Sequence, residues 1–155
     1  MKYYHTWKEL EDNMSDICQQ MAVDNYTPDV ILGPGRGGYP MGVMLSHYFN
    51  VPFEGFQLSL RDHKVEENEA LDILLSKYNS KKILICDDIN DSGSTLNIID
   101  ERCEKLLTNA PTYCTIYDKL SSNFGKKVDY TAKEVGADEE RWIVFPYEEW
   151  WKLIM

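Results

Sequence analysis

The segment Ile83–Thr95, which reads ILICDDINDSGST, limits the possible folds of this chain more than any other. Its four opening residues are apolar, which is typical of a strand buried on both faces of a parallel sheet. Two adjacent aspartates, Asp87 and Asp88, end the apolar run, and a loop of small and hydroxyl residues follows them. Helical spacing of apolar residues begins at Leu96. The segment therefore predicts a buried strand that carries two carboxylates to its end, a tight loop and a helix.

The rest of the chain repeats this order of strand, loop and helix. Apolar runs predict strands, and apolar residues at helical spacing predict helices, the first of which begins with a capping box of Thr6 and Glu9. Alternating strands and helices form a parallel sheet with crossover helices on its faces. The predicted strands are Asp29–Leu32, Val51–Leu60, Lys82–Cys86 and Thr112–Tyr117, and the predicted helices are about five turns after Thr6, Pro40–Phe49, Ala70–Tyr78 and Leu96–Leu107.

These elements predict a single α/β domain, because 155 residues is a common length for one domain. We expect a three-layer sandwich with a mainly parallel central sheet, whose core spans residues 27–120. The alternation breaks after Val128, where only a short apolar run, Trp142–Phe145, and a short final helix with Trp150 and Trp151 are recognisable. Residues 121–155 are therefore expected to form a small C-terminal cap.

Charge and cysteine content narrow the choice of partners and location. The chain has 16 basic and 26 acidic residues and a net charge of −10, which argues against nucleic acid or an anionic membrane as a partner. It has no apolar run of about 18 residues that would span a bilayer. Its four cysteines lack the spacing of a zinc site, and its start does not read as a signal peptide. We expect reduced thiols and a cytoplasmic protein.

The loop Asp91–Thr95 has the chemistry of a phosphate-monoester site. The small residues Ser92, Gly93 and Ser94 let backbone N–H groups curl around an anion, and hydroxyls and the helix N-terminus add donors and partial positive charge. The two aspartates upstream would repel a phosphate, so they suit sugar hydroxyls or a magnesium ion. A phosphorylated sugar with a metal is the ligand that this chemistry favours. Two alternatives are an acidic helix start capped by Asp91 and a phospho-acceptor receiver domain, although the hydroxyl-rich loop fits the latter less well.

The same segment resembles the signature of the type I phosphoribosyltransferases, which bind phosphoribosyl pyrophosphate. The signature consists of four apolar residues, two acids and a Thr/Ser-Gly-x-Thr loop, and Ser92 replaces its usual threonine. The resemblance implies that Asp87 and Asp88 hold the ribose hydroxyls, directly or through Mg²⁺, and that residues 91–95 hold the 5′-phosphate. It also implies that Asp91 is a general base at purine N7 or an electrostatic stabiliser of the sugar cation. The residues assigned to the 5′-phosphate are Asp91, Ser92, Gly93, Ser94 and Thr95.

A second glycine-rich loop, Gly33–Gly38, follows the first predicted strand. It satisfies the G-x-G-x-x-G pattern of dinucleotide-binding domains, but an arginine within such a loop is less expected for that fold. In the phosphoribosyltransferases the equivalent loop binds pyrophosphate. The resemblance implies that Arg36 binds phosphate oxygens, that Gly37 and Gly38 allow close backbone approach, and that a non-proline cis peptide lies at or next to Gly35-Arg36.

Further site residues follow from similarity to the bacterial xanthine-guanine branch of this family. It implies that Lys119 binds the 6-oxo group of a purine, that Trp142 stacks on the base, and that the backbone at Ile143 reads the edge of the base. Glu148 is a candidate second metal contact beside Asp87 and Asp88. Taken alone, Lys119 is more typical of a surface lysine and Trp142 of a core residue, so this assignment depends on the resemblance of the two loops.

The charged stretch Arg61–Glu69 is the remaining candidate for a role at the site. Arg61 could close over the pyrophosphate while the stretch acts as a lid, since a sugar cation must be kept from water. A solvated surface loop is an equally good interpretation, and an exposed loop histidine is the default for His63.

Together these features predict a phosphoribosyltransferase that joins a 6-oxopurine to the ribose 5-phosphate of phosphoribosyl pyrophosphate with Mg²⁺. The family commonly forms homo-oligomers, so a dimer or tetramer is expected. Two alternatives stay open at this point: a non-catalytic regulator that binds phosphoribosyl pyrophosphate, and a phosphoribosyltransferase for another base.

Overall fold

The computed structural model describes residues 1–58, 68–139 and 141–154, and nearly all of them belong to strands, helices or their connections. Two short 3₁₀ helices, Ala137–Glu139 and Trp150–Ile154, lie in the last part of the chain. The strands and α-helices are β1 Lys2–Tyr4, α1 Trp7–Val23, β2 Val30–Pro34, α2 Gly38–Phe49, β3 Phe53–Phe56, α3 Glu69–Lys77, β4 Ile83–Asn90, α4 Ser94–Leu106, β5 Thr112–Lys119, β6 Tyr130–Val135 and β7 Trp142–Val144.

Helix α1 begins with the capping box that the sequence predicts. The Thr6 side chain accepts a hydrogen bond from Glu9 N at 3.0 Å, and the Glu9 carboxylate accepts one from Thr6 N at 3.4 Å. The helix is 17 residues long, close to the five turns expected from its apolar spacing. Its apolar face is buried against the sheet through Leu10, Met14, Ile17 and Met21.

The central sheet has five strands in the order β3-β2-β4-β5-β6, and every pair of neighbouring strands is parallel. The carboxyl ends of all five strands therefore meet at one edge of the sheet. Strand β4 is central, and β2 and β5 flank it. The predicted α/β fold with a mainly parallel sheet is confirmed.

Two hydrophobic cores, one on each face of the sheet, give the three layers. Successive strand residues alternate between them: Ile31 and Leu84 pack with α1 and α2, whereas Leu32 and Ile85 pack with α3 and α4. Cys86, Cys103 and Cys114 are buried in these cores, and all four cysteines are free thiols. No helix within residues 1–58, 68–139 and 141–154 combines the length and apolar character needed to cross a bilayer.

The boundaries of two predicted strands differ from those observed. Strand β4 continues through Asp87 and Asp88 to Asn90, because it pairs with β5 as far as Asn90 opposite Asp118. The apolar pattern predicts a strand that ends at Cys86, so this boundary is wrong by four residues. Strand β3 covers only Phe53–Phe56 of the predicted Val51–Leu60, of which residues 59 and 60 lie outside the described part of the chain.

Two strands have no counterpart in the sequence prediction. Strand β6 forms an edge of the central sheet, so the sheet extends beyond residue 120, the predicted end of the core. Strand β1 pairs with β7 in a separate parallel sheet, with Lys2 opposite Trp142 and Tyr3 opposite Ile143. His5 N extends this pairing by donating to Val144 O at 2.8 Å. The first residues of the chain thus hold a segment near its end.

Candidate active site

The candidate site lies at the carboxyl edge of the sheet, where the loops after β2 and β4 meet. These two strands are neighbours, and each leads through a glycine-containing loop into a helix. The site is therefore built from two helix N-termini and the ends of adjacent strands, a place where open α/β sheets bind ligands.

The loop after β2 contains the expected non-proline cis peptide, between Gly35 and Arg36. Gly35 N donates to Phe56 O of the neighbouring strand at 2.8 Å, and the Arg36 side chain is exposed. At Gly37 a β-carbon would lie 2.5 Å from an Asp88 carboxylate oxygen, so a larger residue there would displace the Asp88 side chain. The loop after β2 is thus in direct contact with Asp88, near the end of β4.

The loop after β4 turns sharply at Gly93, whose φ of 95° is in the left-handed region. Ser94 N donates to Ser92 Oγ at 3.2 Å, and the first backbone bond of α4 runs from Asn97 N to Gly93 O. The N–H groups of this first helical turn precede the intrahelical ladder and face the loop. Gly93 occupies the N-cap position, so the interpretation of Asp91 as a helix cap is wrong.

A second segment, residues 122–125, braces this loop, and the sequence analysis did not identify it. Asn123 N donates to Ser92 O at 2.8 Å, and a β-carbon on Gly93 would lie 2.4 Å from Phe124 N. The Asn97 side chain bonds both Asn123 O and Gly125 N. Contacts with residues 122–125 therefore hold the loop after β4 in place.

Asp87 and Asp88 bring two carboxylates into a poorly solvated part of the site. Burial and the neighbouring Asp88 raise the pKa of Asp87 well above its usual range. Burial, together with the Glu148 carboxylate, raises the pKa of Asp88 to about 6. The three predicted metal contacts therefore influence one another electrostatically.

This donor set can be tested against the expected Mg²⁺. A cation near the two aspartates would offset both causes of their raised pKa values, which are burial first and then repulsion from a neighbouring carboxylate. No three carboxylate, imidazole or thiol groups among the described residues are arranged to hold a metal by themselves. The set fits an ion such as Mg²⁺ that binds through one or two carboxylates and takes its other ligands from a substrate and water.

A cavity of about 440 Å³ opens beside the aspartates. Lys119, at the end of β5, is only 14% exposed, and its ammonium lies 2.7 Å from the Asp91 carboxylate. The cavity thus brings together the predicted catalytic residue and the predicted base-binding lysine. Its lining residues are Met1, Asp88, Ile89, Asp91, Lys119, Arg141, Trp142, Ile143, Phe145 and Glu148.

The predicted base-binding and second metal residues all border this cavity. Trp142 is 70% exposed, so it is a surface residue rather than a core residue. Ile143 follows it in β7, and Glu148 accepts a hydrogen bond from Phe145 N at 2.9 Å. Arg61, His63 and most of the predicted lid lie outside the described residues, whereas Glu69 begins α3.

Sequence reasoning missed several cavity residues. Arg141 and Phe145 line the wall, and Tyr147 stacks on Phe145 with ring centres 5.6 Å apart. The Tyr147 hydroxyl also donates to Asp88 at 3.5 Å, which joins this segment to the aspartate pair. The available signal was the aromatic and charged composition of residues 141–148 directly beside Trp142.

A family model described as "phosphoribosyl transferase domain" matches residues 2–150 of the chain. The match includes both loops, the aspartate pair and the segment around Trp142. The match therefore covers the central sheet and the cavity-lining residues from Asp88 to Glu148.

Individual proteins with similar sequence or structure also include phosphoribosyltransferases. A xanthine-guanine phosphoribosyltransferase of Idiomarina loihiensis is 24% identical over 152 residues, which are 95% of this chain and 87% of that protein. The crystal structure of a purine phosphoribosyltransferase from Pyrococcus horikoshii is similar with a TM-score of 0.71 and 25% identity, covering 96% of this chain and 94% of that one. A xanthine-guanine-hypoxanthine phosphoribosyltransferase of Helicobacter pylori has a TM-score of 0.72 at 18% identity, covering 99% and 98%.

Proposed function

The chain belongs to the phosphoribosyltransferase family, and on this premise we propose that it transfers ribose 5-phosphate from phosphoribosyl pyrophosphate to a 6-oxopurine and releases pyrophosphate. Such a reaction returns free purine bases to the nucleotide pool. The similar proteins named for xanthine, guanine and hypoxanthine support this class of base.

The observation that carries the proposal is the Lys119–Asp91 pair in the cavity, 2.7 Å apart. A 6-oxopurine presents an acceptor, O6, and the adjacent N7–H donor on one edge. An ammonium and a carboxylate side by side match that edge, because lysine only donates and aspartate only accepts. A 6-aminopurine places a donor where the lysine needs an acceptor, so the same pair disfavours adenine.

Phosphoribosyl pyrophosphate is assigned to the two loops. The loop Asp91–Thr95, with Gly93 in its left-handed turn, suits the 5′-phosphate, since backbone N–H groups, hydroxyls and the start of α4 converge there. Arg36, Gly37 and Gly38 suit the pyrophosphate, because a guanidinium and close backbone approach are available together. Arg61 stays a predicted contact.

We assign a magnesium site to Asp87 and Asp88, with Glu148 as a further candidate. Bound there, Mg²⁺ would neutralise charge that develops on the departing pyrophosphate. Residues 137–154 with β1 would serve as the part of a single domain that recognises the base, since they carry Trp142 and Ile143. A homo-oligomer and a cytoplasmic location also remain predictions.

The chain's own residues then have distinct tasks in the reaction. Trp142 offers an exposed ring on which a base can stack, and Lys119 orients the base through O6. Asp91 takes the proton from N7 as the base attacks C1 of the sugar, or stabilises the sugar cation. The buried aspartates hold the ribose hydroxyls, and Arg36 stabilises the leaving pyrophosphate.

The test is release of pyrophosphate from phosphoribosyl pyrophosphate and Mg²⁺ with guanine, xanthine, hypoxanthine, adenine or uracil offered separately. We expect turnover with 6-oxopurines and a loss of about a hundredfold or more in kcat for Asp91→Asn, the scale of general-base catalysis. Asp16→Asn, the same change on the exposed side of α1, is the control.

Two other outcomes would contradict the proposal in different ways. Turnover with adenine or uracil alone would retain the transferase and refute the role of Lys119. Tight binding of phosphoribosyl pyrophosphate without turnover of any base would instead favour a non-catalytic regulator.

A further inference from the structure

Among the described residues, two basic side chains line the cavity beside Asp88, and the proposed function gives a role only to Lys119. Lys119 pairs with Asp91, whereas Arg141 directly precedes Trp142, the first residue of β7. No carboxylate within the described ranges comes within ion-pair distance of the Arg141 guanidinium. Arg141 therefore brings to the cavity a positive charge and N–H donors that recognition of O6 and N7 does not use.

The position of Arg141 is fixed by the β1–β7 sheet. Its guanidinium carbon lies 4.8 Å from the centre of the Tyr3 ring, and Tyr3 pairs with Ile143 across the two strands. The Tyr3 hydroxyl is held in turn by the Glu9 carboxylate. A guanidinium has five N–H donors, and attraction to an aromatic ring does not use all of them. The side chain is thus presented as a donor and is not simply a solvated charge.

Arg141 also borders a smaller cavity of about 180 Å³, which it shares with Ile143. It therefore stands on the wall between the two cavities. When O6 of a purine faces Lys119, atom C2 is separated from C6 by N1 and faces a different wall. The exocyclic group on C2 is where xanthine, guanine and hypoxanthine differ.

A guanidinium can only donate hydrogen bonds. The 2-oxo group of xanthine accepts them, the 2-amino group of guanine offers donors, and hypoxanthine has only a C–H at this position. Xanthine is also the most acidic of the three bases, so a nearby cation favours it electrostatically. The positive charge matters in a cavity whose other charged lining groups are Lys119 and three carboxylates, those of Asp88, Asp91 and Glu148.

We propose that Arg141 determines specificity at C2 of the purine and selects xanthine over guanine and hypoxanthine. This inference rests on the proposed function of the same cavity and adds the residue that discriminates among its substrates. Because Arg141 is exposed at the rim, its effect is about tenfold rather than the far larger factors of fully buried recognition sites.

The test compares the wild type with Arg141→Met and with the control Lys81→Met. Lys81 is exposed at the opposite end of the sheet, just before β4 begins, so the control removes the same charge away from the cavity. Two quantities are measured: kcat/KM for xanthine and guanine, and Kd for the 5′-monophosphates of xanthosine and guanosine. We expect Arg141→Met to lose about tenfold for xanthine and its nucleotide and to leave guanine nearly unchanged, whereas Lys81→Met changes neither ratio.

The remaining outcomes separate this inference from the proposed function. Equal losses for both bases in Arg141→Met would show a structural role and overturn the inference. Purine turnover with an unchanged ratio would overturn it while the proposed function stands. Selective binding of the xanthosine nucleotide that depends on Arg141, without turnover of any purine, would support the inference and refute the reaction. Failure of the wild type to bind either nucleotide would overturn both.

Discussion

Asp91 and Lys119 differ sharply in their surroundings although their charged groups are 2.7 Å apart. The Asp91 side chain is 67% exposed and that of Lys119 is 14% exposed. An ion pair with one solvated partner contributes little to stability, since water screens it and holding the side chains costs entropy. The pair is therefore better understood as a donor and an acceptor placed in advance for a ligand.

Gly93→Ala adds a single methyl group and thereby tests residues 91–95, the loop proposed to bind the 5′-phosphate. Alanine there would combine a left-handed φ of 95° with a β-carbon 2.4 Å from Phe124 N. We expect Gly93→Ala to lower the free energy of unfolding by about 1–3 kcal/mol and to weaken binding of phosphoribosyl pyrophosphate. Calorimetric titration and thermal unfolding measure both effects.

Gly125→Ala is the matched control for that experiment. A β-carbon at Gly125 has its nearest neighbour, Asn97 Oδ1, at 3.6 Å, which is an ordinary contact. Equal behaviour of the two variants would show that the conformation of Gly93 does not matter for the loop.

His5 predicts a pH dependence of stability. The ring is buried against Tyr117 and Phe145, and this burial lowers the pKa of His5. The unfolded chain then binds the proton more readily, so the stability contributed by neutral His5 is present above about pH 6.5 and is lost as the pH falls below it. In denaturant unfolding between pH 8 and 5, the wild type should therefore lose stability relative to His5→Phe as the pH falls.

The wild type must be compared with His5→Phe because other groups make the folded state more stable as the pH falls. Asp87 and Asp88 have raised pKa values, so their protonation favours the folded state as the pH falls. Both proteins contain these aspartates, and their contribution cancels in the difference. Parallel curves would contradict the role assigned to His5.

Strand β1 has only three residues, yet it positions another strand, β7. Its three residues hold β7, and with it Trp142 and Ile143, at the cavity. Deleting residues 2–4 should raise KM for the base by about tenfold or more, because small misplacements of binding groups are costly. KM for phosphoribosyl pyrophosphate should change little, since the two loops proposed to bind it follow β2 and β4.

A triple alanine variant of residues 2–4 separates the strand from its side chains. It retains the backbone ladder to β7, so KM for the base should stay closer to the wild-type value than in the deletion. A comparable rise in both Michaelis constants would mean that β1 supports the whole fold rather than the base site.

The success of the sequence prediction also varied by element. Buried elements have strong patterns: the apolar run of β4 and the capping box of α1 both appear as predicted. Strand β6 has only Tyr130 and Val135 buried, with exposed Lys133 and Glu134 between them, so an edge strand gives no alternating signal. Strand β1 is mostly exposed and exists through pairing with residues far along the chain, which local patterns do not reveal.

The residues of the candidate site were also predictable only where the local sequence carries the signal. The two loops could be located because glycines, hydroxyls and paired acids carry their chemistry in the sequence itself. The bracing by Asn97 and Asn123, and the place of Arg141 over Tyr3, depend on contacts between distant segments. Such contacts become visible only when the strands are assembled.

At the scale of the whole molecule, charge is the dominant property. The chain carries a net charge of −10, and its proposed substrate is also a polyanion. We expect removal of divalent cations with EDTA to weaken binding of phosphoribosyl pyrophosphate by at least about tenfold, because the buried aspartates then repel it. Titration calorimetry with and without Mg²⁺ measures this change.

Ionic strength provides the control for that prediction. Monovalent salt screens the general repulsion between two anions, but it does not supply a cation between Asp87 and Asp88. Added NaCl should therefore fail to restore the affinity that Mg²⁺ restores. Full recovery in NaCl alone would mean that only the overall field of the protein opposes binding.

The pairing of β1 with β7 also bears on how the protein is made. Lys2 is synthesised well before its partner Trp142, because most of the central sheet lies between them in the chain. The loops after β2 and β4, together with their strands, are complete well before that point. A growing chain can therefore assemble the two loops proposed to bind phosphate while β1 is still unpaired. The proposed base site is completed only after β7 has been synthesised and has paired with β1.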